Sequence, residues 1–313
     1  MNNHLDSNTK KQTIEIEQNP NISNTKVYTN MDIDTTSIQS FADESKYPYL
    51  NNLFKTYHVR IKGVVNNKPK KIIMIGTNHS APFSAQCAGQ IKRVLTGKKV
   101  IDSVLLETHN QELPFLEWVK KHQHEHRPDY FAKYVYNKYG EKYYALLLAY
   151  NNNIPMTPCD RRSGEFAGKL ENLSYNKEHQ FVQVGLATLN LYTHKKSNET
   201  KEYILAQFQI KIETFKSVTD WPNFDYTLEN WNKLFTQLYQ LDYKSINSQT
   251  AKSLLDLTMI NQESRMRDVF MYDKIRESLN ENDTIVVVLG SMHIYTLHPA
   301  LCKLLNCEYK PKK

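Results

Sequence analysis

Apolar positions change period along this chain, and each period predicts an element. The run YHVRIKGVV, from Tyr57, alternates apolar and polar residues as a half-buried strand does. NNKPK then supplies turn residues, and KKIIMIG follows as a buried run, so a β-hairpin is expected whose second strand ends at Gly76. A helix is predicted from about Ser84 to Leu95, followed by a short apolar strand, SVLLE, that ends at Glu107. Several helical segments lead to about Asn152, and a brief strand, IPMTPCD, ends at Asp160. From about Gly164 to Leu279 the pattern is mostly helical. Trp231, Leu234, Phe235, Leu238 and Leu241 share one helix face, which reads as packing and not as a cofactor box. The chain then returns to a strand, TIVVVLG, ending at Gly290, and closes with a helix near Leu297 to Leu305. Strands separated by long helical stretches predict an α/β fold: a central β-sheet flanked by helices, with a largely helical middle insertion.

Residues 1 to about 46 do not share this order. They are rich in Asn, Ser, Thr, Asp and Gln, and their few aliphatics keep no period. Such a segment cannot bury enough apolar surface to offset the entropy of ordering, so it is expected to be disordered, with one α/β domain over 47–313.

Composition narrows the function classes. The 313 residues carry 40 basic and 33 acidic side chains, a well-mixed excess of +7. Nucleic-acid-binding proteins concentrate basic residues on a face or stripe. Here the densest runs, Lys68 to Lys71 and Lys310 to Lys313, are short and read as a solvated turn and a solvated terminus. Neither a nucleic acid nor a membrane is expected as partner. No apolar run approaches membrane-spanning length, and MNNHLDSNTKK lacks the apolar core of a secretory signal. The four cysteines, Cys87, Cys159, Cys302 and Cys307, form no C-x-x-C pair or dense framework. A reducing, cytoplasmic setting with packed free thiols is expected, although non-classical export leaves no signal to read.

The candidate chemistry lies where the apolar runs stop. IIMIGTNH ends at His79 and VVVLGSMH ends at His293, the same local grammar at two distant places. Nine glycines and 11 histidines in 313 positions give roughly 0.3 chance matches to Gly-x-x-His, so two matches, each after an apolar strand, point to a shared role. Gly76 and Gly290 are expected to let the backbone turn so that each imidazole returns over the sheet edge. Ligands of open α/β sheets collect at the carboxyl ends of strands, and Glu107 and Asp160 are predicted there too. Two histidines and a carboxylate can hold a catalytic divalent ion with positions left for water. Equally, without metal, one histidine can act as general base oriented by a carboxylate. Arg161 and Arg267 are candidates for binding a carboxylate or stabilising developing negative charge. HQHEH, His122 to His126, has metal-competent spacing if helical, but its charged neighbours read as a solvated face; His109 is a second-rank candidate.

With these motifs placed, the chain resembles the TraB/PrgY/Tiki superfamily, including its GumN-like members, over about residues 55–305. IIMIGTNHSAP, VLLETH, MTPCDRR, RMRDVFM and VVVLGSMH carry the resemblance, in that order. It implies that His79 and His293 share one site with Glu107, and that Asp160-Arg161 and Arg267-Asp268, followed by Met271, approach it. For Tiki-like members it implies a hydrolase of peptide or amide bonds that uses manganese, cobalt or zinc, with a peptide or small molecule as substrate. Esterase-like and haem-uptake members of the superfamily keep two rivals open, a metal-independent esterase-like hydrolase and a non-catalytic ligand- or haem-binding protein. The chain departs from the family in having no arginine between Glu107 and Arg127. The membrane helices of pheromone-shutdown members and the signal peptide of exported Tiki proteins have no counterpart in the sequence, so those roles do not carry over.

Overall fold

A computed structural model describes residues 58–77, 86–108, 112–162, 164–195, 201–219, 221–246 and 248–308. The amino-terminal segment 1–46, the onset of order near Tyr47, His79 and His109 lie outside the described residues.

The predicted hairpin forms. Strands β1 (His58–Val65) and β2 (Lys68–Thr77) pair antiparallel with His58 opposite Ile75 and Val65 opposite Lys68. Asn66 and Asn67 make the turn at φ of 51° and 62°, the left-handed geometry that matches strand twist and that asparagine tolerates. Helix α1 (Gln86–Leu95) leads to β3 (Ser103–Leu106), and α2 (Glu112–His122), α3 (Pro128–Tyr139) and α4 (Glu141–Asn151) lead to β4 (Met156–Pro158). The helical stretch holds α5 (Ala167–Glu171), α6 (Lys177–Lys195), α7 (Lys201–Thr219), α8 (Leu228–Tyr239), α9 (Ser248–Ser253) and α10 (Leu257–Glu281). Strand β5 (Thr284–Gly290) and α11 (Ser291–Leu304) follow.

The sheet order is β1-β2-β5-β3-β4, with every pair parallel except the hairpin. The late strand β5 therefore lies between β2 and β3, which puts the two Gly-x-x-His strands side by side: Gly76 is opposite Leu289 and Thr77 is opposite Gly290. Side chains alternate faces along each strand. Ile73, Ile75, Val104, Leu106, Val286 and Val288 pack with residues of α1 to α4 on one face. Ile72, Met74, Leu105, Ile285, Val287 and Leu289 pack with α10 and α11 on the other. Burial on both faces explains why the central strands read as unbroken apolar runs. The fold is α/β, a mixed five-stranded sheet between helical layers.

The helical insertion has its own core around Phe181, Phe208, Trp231 and Phe235. Gly185 on α6 lets the rings of Trp231 and Phe208 lie directly on the helix backbone. The predicted stripe on α8 packs as expected except at one position: Trp231 and Phe235 are fully buried, Leu234 and Leu241 pack against the same core, and Leu238 is 48% exposed. Gln240 takes a left-handed φ of 54° as the cap of α8, and Leu241 beyond it still packs on that core.

Candidate active site

Glu107, Asp160 and His293 meet at the carboxyl ends of β3, β4 and β5, and α10 lays Arg267 and Asp268 across them. Each is placed by its own strand or helix. Glu107 directly follows β3, where its N–H donates to Val288 O at 3.1 Å, and its Oε2 accepts the N–H of Gly290 at 2.5 Å. That bond fastens the carboxylate to the first residue of the second Gly-x-x-His motif. Asp160 follows β4 beside Cys159, whose N–H donates to Leu106 O at 2.9 Å.

Arg267 lies between the carboxylates. Its Nε and Nη2 donate to Asp160 Oδ1 and Oδ2 at 3.0 and 2.6 Å, a two-point pairing, and Nη2 reaches Glu107 Oε1 at 3.4 Å. Burial, the largest influence on Asp160, raises its pKa, but the hydrogen bond and charge of Arg267 outweigh it and hold the carboxyl below its ordinary range. Burial likewise disfavours charge on Arg267, and the hydrogen bond and charge of Asp160 reverse that, keeping the guanidinium charged.

His293 lies in the first turn of α11, 8% exposed. Its Nδ1 is 2.6 Å from Asp268 Oδ1, and its Nε2 faces Glu107 Oε1 at 3.7 Å, beyond hydrogen-bond length. Burial favours the neutral ring, but the hydrogen bond and charge of Asp268, joined by the charge of Glu107, win and raise its pKa. Two carboxylates thus hold one guanidinium while a third, Asp268, holds the His293 ring, a setting that favours positive charge on or beside that ring.

Four expectations need correction. The helix predicted near Leu297 begins at Ser291, directly after Gly290, so His293 is carried by a helix and not by a returning loop. Gly290 has φ −54° and ψ 139°, which any residue adopts; its use here is the N–H given to Glu107 and not a special turn. HQHEH is not one helix face: α2 ends at His122, a 3-10 turn covers Gln123–Glu125, and His126 is extended. His122 Nδ1 bonds Trp118 O at 2.8 Å, and the His126 ring lies 6.2 Å from that of Phe131. Arg161 is apart from the cluster, stacked 4.5 Å from the Phe270 ring centroid and 3.8 Å from Glu165.

The hydroxyl residues that follow each motif glycine join the two strand ends. Ser291 Oγ donates to Thr77 O at 3.1 Å, and Thr77 Oγ1 lies 3.2 Å from Leu289 O and 3.1 Å from the buried Glu141 Oε1, one hydrogen between two acceptors. Asp268, 1% exposed, is visible in the sequence only as the neighbour of Arg267, and Glu141 looks like a solvated helix start in KYGEKYY.

Two of the three proposed metal ligands are described, and their chemistry fits an ion. With Asp268 accepting the Nδ1–H, the neutral ring has its Nε2 lone pair facing Glu107, as in the carboxylate–histidine–metal pattern. The 3.7 Å between Nε2 and Oε1 is within the span of two ligand bonds of about 2.1 Å each. Among the described residues no three His, Cys, Asp or Glu side chains converge as a metal site; the third proposed ligand, His79, lies outside them. Comparison of the chain with family models, with curated proteins and with solved structures gives no match in any of the three. No described helix is long and apolar enough to cross a membrane.

Proposed function

We propose that the chain is a metal-dependent hydrolase of peptide or similar amide bonds, of the TraB/Tiki-like kind. His79, His293 and Glu107 hold a divalent ion, such as manganese, cobalt or zinc. The observation that carries the reading is the approach of His293 Nε2 to Glu107 Oε1 while Asp268 occupies the other ring nitrogen. The motif order, with His79 two residues beyond Thr77, supports the third ligand. An ion there supplies Lewis acidity toward a substrate carbonyl.

The chain's own groups do the rest. Asp268 fixes the ring of His293 and its tautomer. Asp160 binds the Nε–Nη2 edge of Arg267, so the guanidinium plane is set and Nη1 is left for an oxyanion. Asp160 is thus a positioning residue, and Arg161, turned onto Phe270, is given no part. Gly290 N–H steadies Glu107.

The same 2.6 Å Asp268–His293 pair favours a second reading, a metal-independent hydrolase in which His293 is the general base. A proton and an ion compete for one nitrogen, so chelation separates the readings. With a panel of peptide, amide and ester substrates, activity lost on chelation and restored by manganese, cobalt or zinc supports the first. Activity that survives exhaustive chelation and vanishes in His293→Ala supports the second. No turnover with or without metal leaves a ligand-binding role, in which haem titration must produce a visible absorption band for a haem protein.

A further inference from the structure

The last turn of α11 closes in a way that brings two thiols together. Asn306 adopts a left-handed φ of 51°, its N–H donates to Lys303 O at 3.1 Å, and the Cys307 N–H donates back to Cys302 O at 2.9 Å. These are the paired bonds of a Schellman motif, which folds the second residue past the helix cap onto the residue three before it. An apolar pair usually meets at those two positions; here both are cysteines. Cys307 packs against the core cluster to which Cys302 belongs. A disulfide needs Cα atoms about 4.4–6.8 Å apart, the kind of separation that this back-folding creates.

The surroundings suit exchange chemistry. Cys302 is buried and Cys307 half-buried, and both line an open cavity of about 420 Å³ shared with Arg60, Lys62, His298 and Glu308, which a small charged disulfide can enter. Burial, then its neighbour Cys307, pushes Cys302 up to about 12, so it keeps its proton, while the half-buried Cys307 is the more accessible partner. The other two thiols lack this arrangement: Cys87 lies 3.2 Å from Tyr136 Oη, and Cys159 donates to Leu106 O at 3.1 Å.

We propose that Cys302 and Cys307 form a redox-active dithiol that exchanges with low-molecular-weight disulfides of the glutathione kind. The Cys307 thiolate attacks one sulfur of the small disulfide and expels one thiolate, leaving a mixed disulfide on Cys307. Cys302 then gives up its proton, attacks the Cys307 sulfur and expels the second thiol. The protein loses two hydrogens and the small disulfide gains them as two thiols. This site is separate from the proposed hydrolytic centre and does not rest on it.

The test uses the full reduced chain, equilibrated with oxidised and reduced glutathione at stepped ratios, then acid-quenched, alkylated and digested. Trypsin cuts after Lys303, between the two cysteines, so an internal bridge shows as two peptides joined and as loss of alkylation at both positions together. Cys302→Ser is expected to stop at a stable glutathione adduct on Cys307, and Cys307→Ser to leave Cys302 without an adduct. Adducts that stay unresolved on wild-type Cys307 overturn the proposal. So does independent alkylation of both thiols at every ratio, or bridging that involves Cys87 or Cys159.

Discussion

Removing the charge of Arg267 should destabilise the fold more than any neighbouring substitution of similar size. The substitution Arg267→Met keeps most of the aliphatic length and removes the guanidinium that touches Asp160 and Glu107. Asp160 has a side chain 4% exposed and Glu107 11%, so two largely buried carboxylates lose the guanidinium that pairs with them. Breaking a buried pair from one side costs about 3–5 kcal/mol, and the 27% exposure of the Arg267 side chain argues for the lower end, about 3 kcal/mol. Asp160→Asn keeps the shape and leaves Arg267 with Glu107, so its cost is expected at about 1–3 kcal/mol. Because the two side chains act on each other, Arg267→Met with Asp160→Asn should lose less than the sum, by about 1–3 kcal/mol of coupling. Urea unfolding of the four proteins at pH 7 measures it. Single losses under about 1 kcal/mol, or additivity within about 0.5 kcal/mol, would refute the claim that this pair is buried and mutually dependent.

Other expectations are as direct. Gly185→Ala places a Cβ inside contact distance of the Trp231 and Phe208 rings, both fully buried. Overpacking of about 1–3 kcal/mol should exceed the helix-propensity gain of about 1 kcal/mol, giving a lower Tm; a raised Tm sinks that packing. Asp256 caps α10 through Met259 N–H and pairs with His179 at 3.0 Å, so Asp256→Ala should cost about 1–2 kcal/mol in urea unfolding near neutral pH. Burial raises the Asp256 pKa, but the His179 bond and the capping N–H outweigh it and lower it, so its contribution is present above the ordinary carboxylate range. It is lost as pH falls through the lowered value, and the gap between wild type and variant should close below about pH 4; a gap independent of pH contradicts this. Asp268→Asn should weaken ion binding about 10–100-fold by freeing the His293 ring, read by competition with a coloured chelator; unchanged affinity removes Asp268 as its orienting partner.

The strands were legible because burial on both faces makes each an apolar run, and IIMIG and VVVLG differ from anything near them. Their order was not legible. Placing β5 between β2 and β3 is a pairing across most of the chain, and no local pattern encodes it. Strand-end residues Glu107 and Asp160 could be named because the runs stop there. Arg267 could be named only as one candidate arginine and Asp268 only as its neighbour, because both lie on a long helix of mixed polarity where nothing in RMRD says which side chain faces inward. Glu141 hides for the same reason: a buried carboxylate beside Thr77 is written like a solvated one.

Metal content of the purified, untagged chain, measured by elemental mass spectrometry beside His79→Ala and His293→Ala, tests the central claim most directly. About one tightly held divalent ion per chain is expected in the wild type, with most of it lost in each variant. A wild type free of such an ion even after reconstitution, or content unchanged in both variants, would contradict it.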